Sequence, residues 1–321
     1  MDDDEIPVPG ASGREEPGAG MIALLGAGVF VASILAMVAI NLVGGALTGL
    51  ARSDSAELVA FEPPPATILT RAPAPDAPAW LAHAAPFDAP PGKPLLAVVV
   101  LDDGTHSPLA MQAVNWRAPL SFAIAADFDV SPFRIEQVRR AGREALALLP
   151  LGYAPEFGRD PNVLRRGLSD AELLRRLRWH LARAGEGIVG AVDQHAGDIT
   201  RDTRALRTIG DGLAAGGLLM VESADDPDSL LSARLRPLGV PVGRRATRVA
   251  RGGTADAAFA ALVDAERHAF TWGAAIVLVE ADGTSMEALS EWLESRGGSI
   301  ALAPVSHVVR RLRTGPRGAM N

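Results

Sequence analysis

The chain has 321 residues, a formal net charge of −7 and no cysteine. The acidic balance, with no basic stripe interleaved with aromatics, argues against nucleic-acid binding, and the missing cysteines exclude thiolate metal sites, disulfide frameworks and a cysteine nucleophile. The length suits one large domain with appendages, or two small ones.

Residues 1–20 are acidic and rich in Gly and Pro, the composition of a disordered tail. Met21 to Ala51 holds no charged residue. A spanning helix needs about 20 apolar residues, so 21–51 is predicted to be one transmembrane helix. A cleaved signal peptide fits less well: the basic n-region is missing and the stretch is too long for an h-region. Arg14 on one flank, with Arg52 and Arg71 on the other, leaves the positive-inside rule nearly silent. Residues 52–93 form an Ala/Pro-rich linker, with ten prolines between 51 and 94 and the runs "EPPPA" and "RAPAPDAPAW". Such a segment is an extended, semi-rigid spacer. The globular part is expected over 94–312, with a flexible tail at 313–321.

Short apolar runs then alternate with helical segments. "LLAVVVL" (95–101), "PLSFAIAA" (119–126), "EALALLP" (144–150), "GIVGAV" (187–192), "GLLMVES" (217–223), "AAIVLVE" (274–280) and "SIALAP" (299–304) lack polar alternation. Strands of a parallel sheet covered on both faces read this way. Between them, Ser169 with Glu172 three residues on makes a capping box ahead of "LLRRLRWHLARAG". "TSMEALSEWLESRGG" (284–298) is a second helix, stopped by Gly297 and Gly298. Seven strands with intervening helices predict an α/β domain, an open doubly wound sheet or a barrel.

In either architecture ligands gather at the carboxyl ends of the strands. The polar groups found there are Asp102, Asp103, Thr105 and His106 after the first run, and Asp193, Gln194, His195 and Asp198 after the fourth. Glu222, Ser223, Asp225 and Asp226 follow the fifth, and Glu280 and Asp282 the sixth. Any single acid here is equally a helix N-cap. No phosphate-binding glycine loop and no Gly-x-Ser-x-Gly elbow is present in the sequence. The basic run "GRRATRVARGG" (243–253) could pair with an anionic polymer or lipid headgroups, although every basic residue except Lys93 is arginine. His180, His268 and His307 fall on helical segments with surface or half-buried roles as the default.

Five segments, in order, resemble the divergent polysaccharide deacetylase family over about Leu95 to Leu312. They are "VVVLDDG", "AGREALALLPL", "GAVDQHAGDIT", "GGLLMVES" and "GAAIVLVEADGTSMEALSEWL". The resemblance implies a seven-stranded parallel (β/α) barrel-like deacetylase fold, here preceded by one transmembrane helix and a Pro-rich linker. It also implies metal-assisted removal of acetyl groups from a carbohydrate, in which a divalent cation polarises the carbonyl and activates a water. By position, Asp102 would be the general base, and Asp103 and His195 metal ligands. Leu148 stands where the family has His before Leu-Pro-Met, and Val279 at the His of its Gly-His-Pro motif. Two ligands are fewer than the three a catalytic zinc site keeps. A rearranged pocket recruiting His106, Asp193, Glu222 or Glu280 would be carboxylate-rich and suit Mg or Mn better than Zn.

Two functions follow from the resemblance. One is a membrane-anchored hydrolase acting on an acetylated cell-envelope glycan. The other is a catalytically inactive deacetylase-fold protein that binds an envelope glycan or an envelope protein. Both place the anchor in the inner-membrane bilayer and the C-terminal domain in the periplasm.

Overall fold

The computed structural model describes residues 77–152, 162–194, 197–223 and 225–314. The segments read as tail (1–20), transmembrane helix (21–51) and most of the linker lie outside the described residues, as do 315–321. Among the described residues, no helix is long and apolar enough to cross a membrane.

The described strands are β1 (Leu95–Asp102), β2 (Ser121–Ala125), β3 (Glu144–Leu149), β4 (Gly190–Asp193), β5 (Leu219–Glu222), β6 (Val242–Arg244), β7 (Thr247–Val249), β8 (Ala274–Glu280) and β9 (Ala301–Leu302). They form one sheet in the order β6-β5-β4-β3-β2-β1-β8-β7, with β9 beside β1, and every pairing is parallel. The ends of this order, β6 and β7, are two halves of one extended stretch joined by Arg245 and Ala246. Its first half pairs with β5 and its second with β8, so the wall curls into a parallel α/β half-barrel. All seven predicted strands are present. The two additional strands lie mostly inside the arginine run that the sequence suggested as a surface patch.

The described helices are α1 (Ala79–Ala82), α2 (Ser107–Ala113), α3 (Ser131–Arg140), α4 (Asp170–Ala184), α5 (Thr203–Ala215), α6 (Leu231–Leu235), α7 (Ala255–Trp272), α8 (Gly283–Ser295) and α9 (Val305–Thr314). Alternate residues of each strand project to opposite faces. Leu96, Val98, Val100, Phe122 and Val277 join side chains of α2 to α8 in an outer apolar layer. Leu95, Ala97, Val99, Leu101, Leu146, Leu148, Ile276 and Leu278 line the inner face, where Val305, Val308 and Val309 of α9 fill it. A Cβ on Gly243 would lie 2.7 Å from the Ile276 side chain and 2.8 Å from that of Val309, so a larger residue there would force these side chains to shift.

The N-cap half of the predicted capping box forms, with the Glu172 amide donating to Ser169 Oγ at 3.2 Å, while the Glu172 carboxylate accepts from Arg175 and Arg176 and not from the Ser169 amide. Behind it, Leu173, Leu177, His180 and Ala184 make one buried stripe of α4. His180 is therefore a core residue rather than a surface one: its position continues the helical period set by Leu173 and Leu177, and its Nε2 lies 3.0 Å from the Asn162 carbonyl. Part of the stretch read as linker also docks on the domain. Trp80 is buried in the inner layer and donates its amide to the Gly217 carbonyl at 2.9 Å. At the amino end of β3, buried Glu144 accepts from the Ala85 amide at 3.0 Å, the Ser306 amide at 3.0 Å and the Ser306 hydroxyl at 2.5 Å. That single carboxyl ties the upstream segment and the first turn of α9 to the sheet.

Candidate site at the carboxyl ends of the strands

The described acids predicted for the site all reach the carboxyl rim, but strand register divides them between the two faces. Asp102 pairs with Ile124, and Asp193 with Leu149, both in the outer layer. Glu222 lies two residues beyond outer-layer Met220. Asp103 and Glu280 have the opposite parity, two residues beyond Leu101 and Leu278 of the inner face. Asp102 ends β1 and bonds Ser107 and Arg134, whereas Asp103, just beyond the strand, bonds Thr105 and Arg251, so the two carboxylates do not converge.

On the inner side, each carboxylate is held by an arginine of the β6–β7 stretch or of the turn after it. Arg251 Nη2 donates to Asp103 Oδ2 at 2.7 Å, while the Thr105 amide donates to Oδ1 at 3.0 Å. Burial raises the Asp103 carboxyl's proton affinity, but the Thr105 amide and the Arg251 guanidinium outweigh it and hold the group below its ordinary value. Arg248 shares a face with Leu278, and its Nε donates to Glu280 Oε1 at 2.7 Å. The Arg251 amide donates to Glu280 Oε2 at 3.2 Å, and the Gly252 amide to Asp282 Oδ2 at 2.8 Å. The turn following β7 is thus fastened to the ends of both β1 and β8.

On the outer side the acids serve local structure. Asp102 accepts from the Gly104 amide at 3.0 Å and the Ser107 hydroxyl at 2.5 Å, with Arg134 Nη1 at 3.5 Å. Asp193 accepts from the Ser223 amide at 2.6 Å and the Ser223 hydroxyl at 2.8 Å. Complete burial, opposed by those Ser223 bonds and reinforced by the nearby Glu222 charge, pushes its carboxyl up to about 6. Glu222 accepts from the hydroxyls of Ser229, at 2.6 Å, and Ser232. Arg245, almost wholly enclosed, donates to the Ser223 carbonyl and pairs with Asp225.

The remaining predicted positions also separate. His195 lies outside the described residues. His106 occupies the N-cap position of α2 without a side-chain capping bond, and its Nδ1 is buried with no hydrogen-bond partner among the described residues. Leu148 faces inward as an apolar core residue. Val279 does not: it pairs with Val100 and Val249 and belongs to the outer layer under the helices. A side chain at position 279 therefore points away from the inner face that carries Glu280. Glu280 is the residue of this strand end that points inward.

Among the described residues, which leave out His195, the acids do not fit the divalent metal implied by the resemblance. Asp103 and Glu280 use their oxygens on guanidinium and amide donors, and Asp102, Asp193 and Glu222 use theirs on the other face. Among the described residues, no three His, Asp or Glu side chains converge as a metal-ligand group.

An apolar rim, absent from the acids and histidines picked out by strand-end position, also borders the site. Phe128, Val130 and Phe133, in the segment from the end of β2 into α3, are exposed. The Phe128 ring covers Gly104: a Cβ at 104, where φ is +92°, would lie 2.1 Å from it. Arg183 fixes this segment by donating to the carbonyls of Ala126 at 2.7 Å and Phe128 at 2.8 Å. "AADFDVSPF" carried the available signal, two aromatics just beyond a strand end.

A family model described as divergent polysaccharide deacetylase matches residues 98–309. No curated protein matches the chain. Among solved structures, an uncharacterized protein from Agrobacterium tumefaciens is similar in fold, with a TM-score of 0.65 and 23% identity over 71% of this chain and 94% of that one. The catalytic domain of a peptidoglycan N-acetylglucosamine deacetylase from Eubacterium rectale aligns with a TM-score of 0.42 and 11% identity, over 68% of this chain and 92% of its own.

Proposed function

The chain belongs to the divergent polysaccharide deacetylase family, and from that membership we propose that it binds a cell-envelope carbohydrate at the carboxyl rim of the half-barrel without metal-assisted hydrolysis. The observation that carries this reading is the exposed Phe128 ring seated on Gly104, the residue after Asp103. Aromatic faces supply flat apolar area, which suits the C–H face of a sugar ring. The neighbouring charged groups offer fixed polar partners to hydroxyls, the usual mixture in a ligand site. Calorimetric titration of the full-length chain with acetylated glucosamine oligosaccharides tests it. Saturable binding that Phe128→Ala weakens about tenfold, the worth of one aromatic contact, is expected. Wild-type and variant chains that bind equally, or a wild type that does not bind, contradict it.

Asp102-Asp103-Gly104, retained at the end of β1, supports a second reading, hydrolysis of acetyl groups. That reading requires acetate release that Asp103→Asn abolishes.

The proposal extends to location. The uncharged stretch 21–51 serves as a single inner-membrane anchor, and the C-terminal domain works in the periplasm, with an envelope protein as the other partner class. Reporter fusions after residue 94 test this: activity confined to a periplasm-dependent reporter is expected, and activity of a cytoplasmic reporter alone contradicts it.

A further inference from the structure

We infer that Arg251 is the resident counter-ion of Asp103, holding with its guanidinium the position that a divalent cation would need, so that this rim is closed to metal by a charge the chain itself supplies. The disagreement between the family's metal chemistry and the residues present is what this assigns a cause to.

Three observations converge on it. Arg251 Nη2 is 2.7 Å from Asp103 Oδ2, an ordinary charge-assisted hydrogen bond. The arginine is delivered by backbone anchoring: its own amide donates to Glu280 Oε2, and the next amide, of Gly252, donates to Asp282. The second inward acid is treated in the same way, with Arg248 on Glu280. Two carboxylates and two guanidiniums thus neutralise one another on the inner side. A divalent ion approaching Asp103 meets a fixed positive charge within a few ångströms and must also break an existing ion pair. Arginine suits this role because it stays protonated at every physiological pH and binds carboxylates through a rigid fork. The arginine run of 243–253 is accordingly directed, at Arg245, Arg248 and Arg251, onto acids of this same domain.

The test is equilibrium dialysis of the full-length chain against zinc and, separately, manganese, with bound metal quantified. The wild type and Arg251→Lys are expected to bind metal only weakly, with no stoichiometric uptake at Asp103. Arg251→Ala is expected to take up metal at least tenfold more tightly than the wild type, and the further change Asp103→Asn to abolish the gain. Thermal melts with and without metal give a second readout that shows the variants fold. A wild type that binds stoichiometric metal lost in Asp103→Asn overturns the inference, and so does Arg251→Ala with no gain over the wild type. Carbohydrate binding is not read in this experiment, so its failure and that of the proposed function are separable.

Discussion

Arg251 and Asp103, 148 residues apart in sequence, meet at 2.7 Å where β1 ends and the turn after β7 begins. The contact fastens the second half of the β6–β7 stretch to the centre of the sheet. Both side chains are partly exposed, so solvent screens the pair. The double-mutant cycle of Asp103→Asn and Arg251→Gln, followed by chemical denaturation, is expected to give a coupling of about 1 kcal/mol. Additive single mutants would mean that the two side chains do not depend on each other.

Gly104 carries two separate requirements, a φ of +92° and an absent Cβ beneath Phe128. Gly104→Ala should cost about 1–3 kcal/mol from the backbone alone, with a steric clash added. Phe128→Ala in the same chain should recover the steric part and leave the backbone part. Denaturation of the two single variants and the double variant measures this; a double variant no more stable than additivity predicts removes the ring from the account.

Leu148 and Val279 separate the two positions where the family comparison places histidines. Leu148→His puts an imidazole on the inner face, among Leu146 and other apolar side chains. Val279→His puts one under the outer helices. Each should destabilise the fold by about 1–3 kcal/mol, through overpacking and an unsatisfied polar group. Neither should confer zinc binding while Arg251 is present. Zinc uptake by Val279→His would show that residue 279 reaches the inner face after all.

Glu144 gives a pH signature remote from the rim. Its burial lifts the carboxyl above the ordinary glutamate value of about 4.5, against the opposing hydrogen bonds from Ser306, Ala85 and Val305. The folded chain therefore holds this proton more tightly than the unfolded one. The stability it contributes is complete below about pH 4.5 and is lost as pH rises through the raised value. Glu144→Gln should flatten that decline in urea unfolding measured from about pH 4.5 to about pH 8. An unchanged slope would mean that Glu144 titrates as an exposed glutamate does.

The sheet was legible because its strands are buried on both faces, so "LLAVVVL" and "AAIVLVE" read as uninterrupted apolar runs. β6 and β7 were not, because each has only three residues and arginines break the apolar pattern. The site was legible as a set of strand ends and not as a geometry. Sequence adjacency joined Asp102 to Asp103, whereas their side chains bond different partners, Ser107 and Arg134 for the first and Arg251 for the second. The family resemblance set position 279 against a ligand histidine, although residue 280 has the inward parity. The Arg251–Asp103 pair is a contact of distant segments, which no local pattern announces.

Carbohydrate binding at the rim is expected to need no metal. Its most direct measurement is titration of the chelator-treated, full-length chain with an acetylated glucosamine oligosaccharide, with released acetate assayed in the same samples. Affinity unchanged by the chelator, with no acetate formed, is the predicted result. Binding or acetate release that disappears with chelator and returns on adding zinc, magnesium or manganese would contradict it.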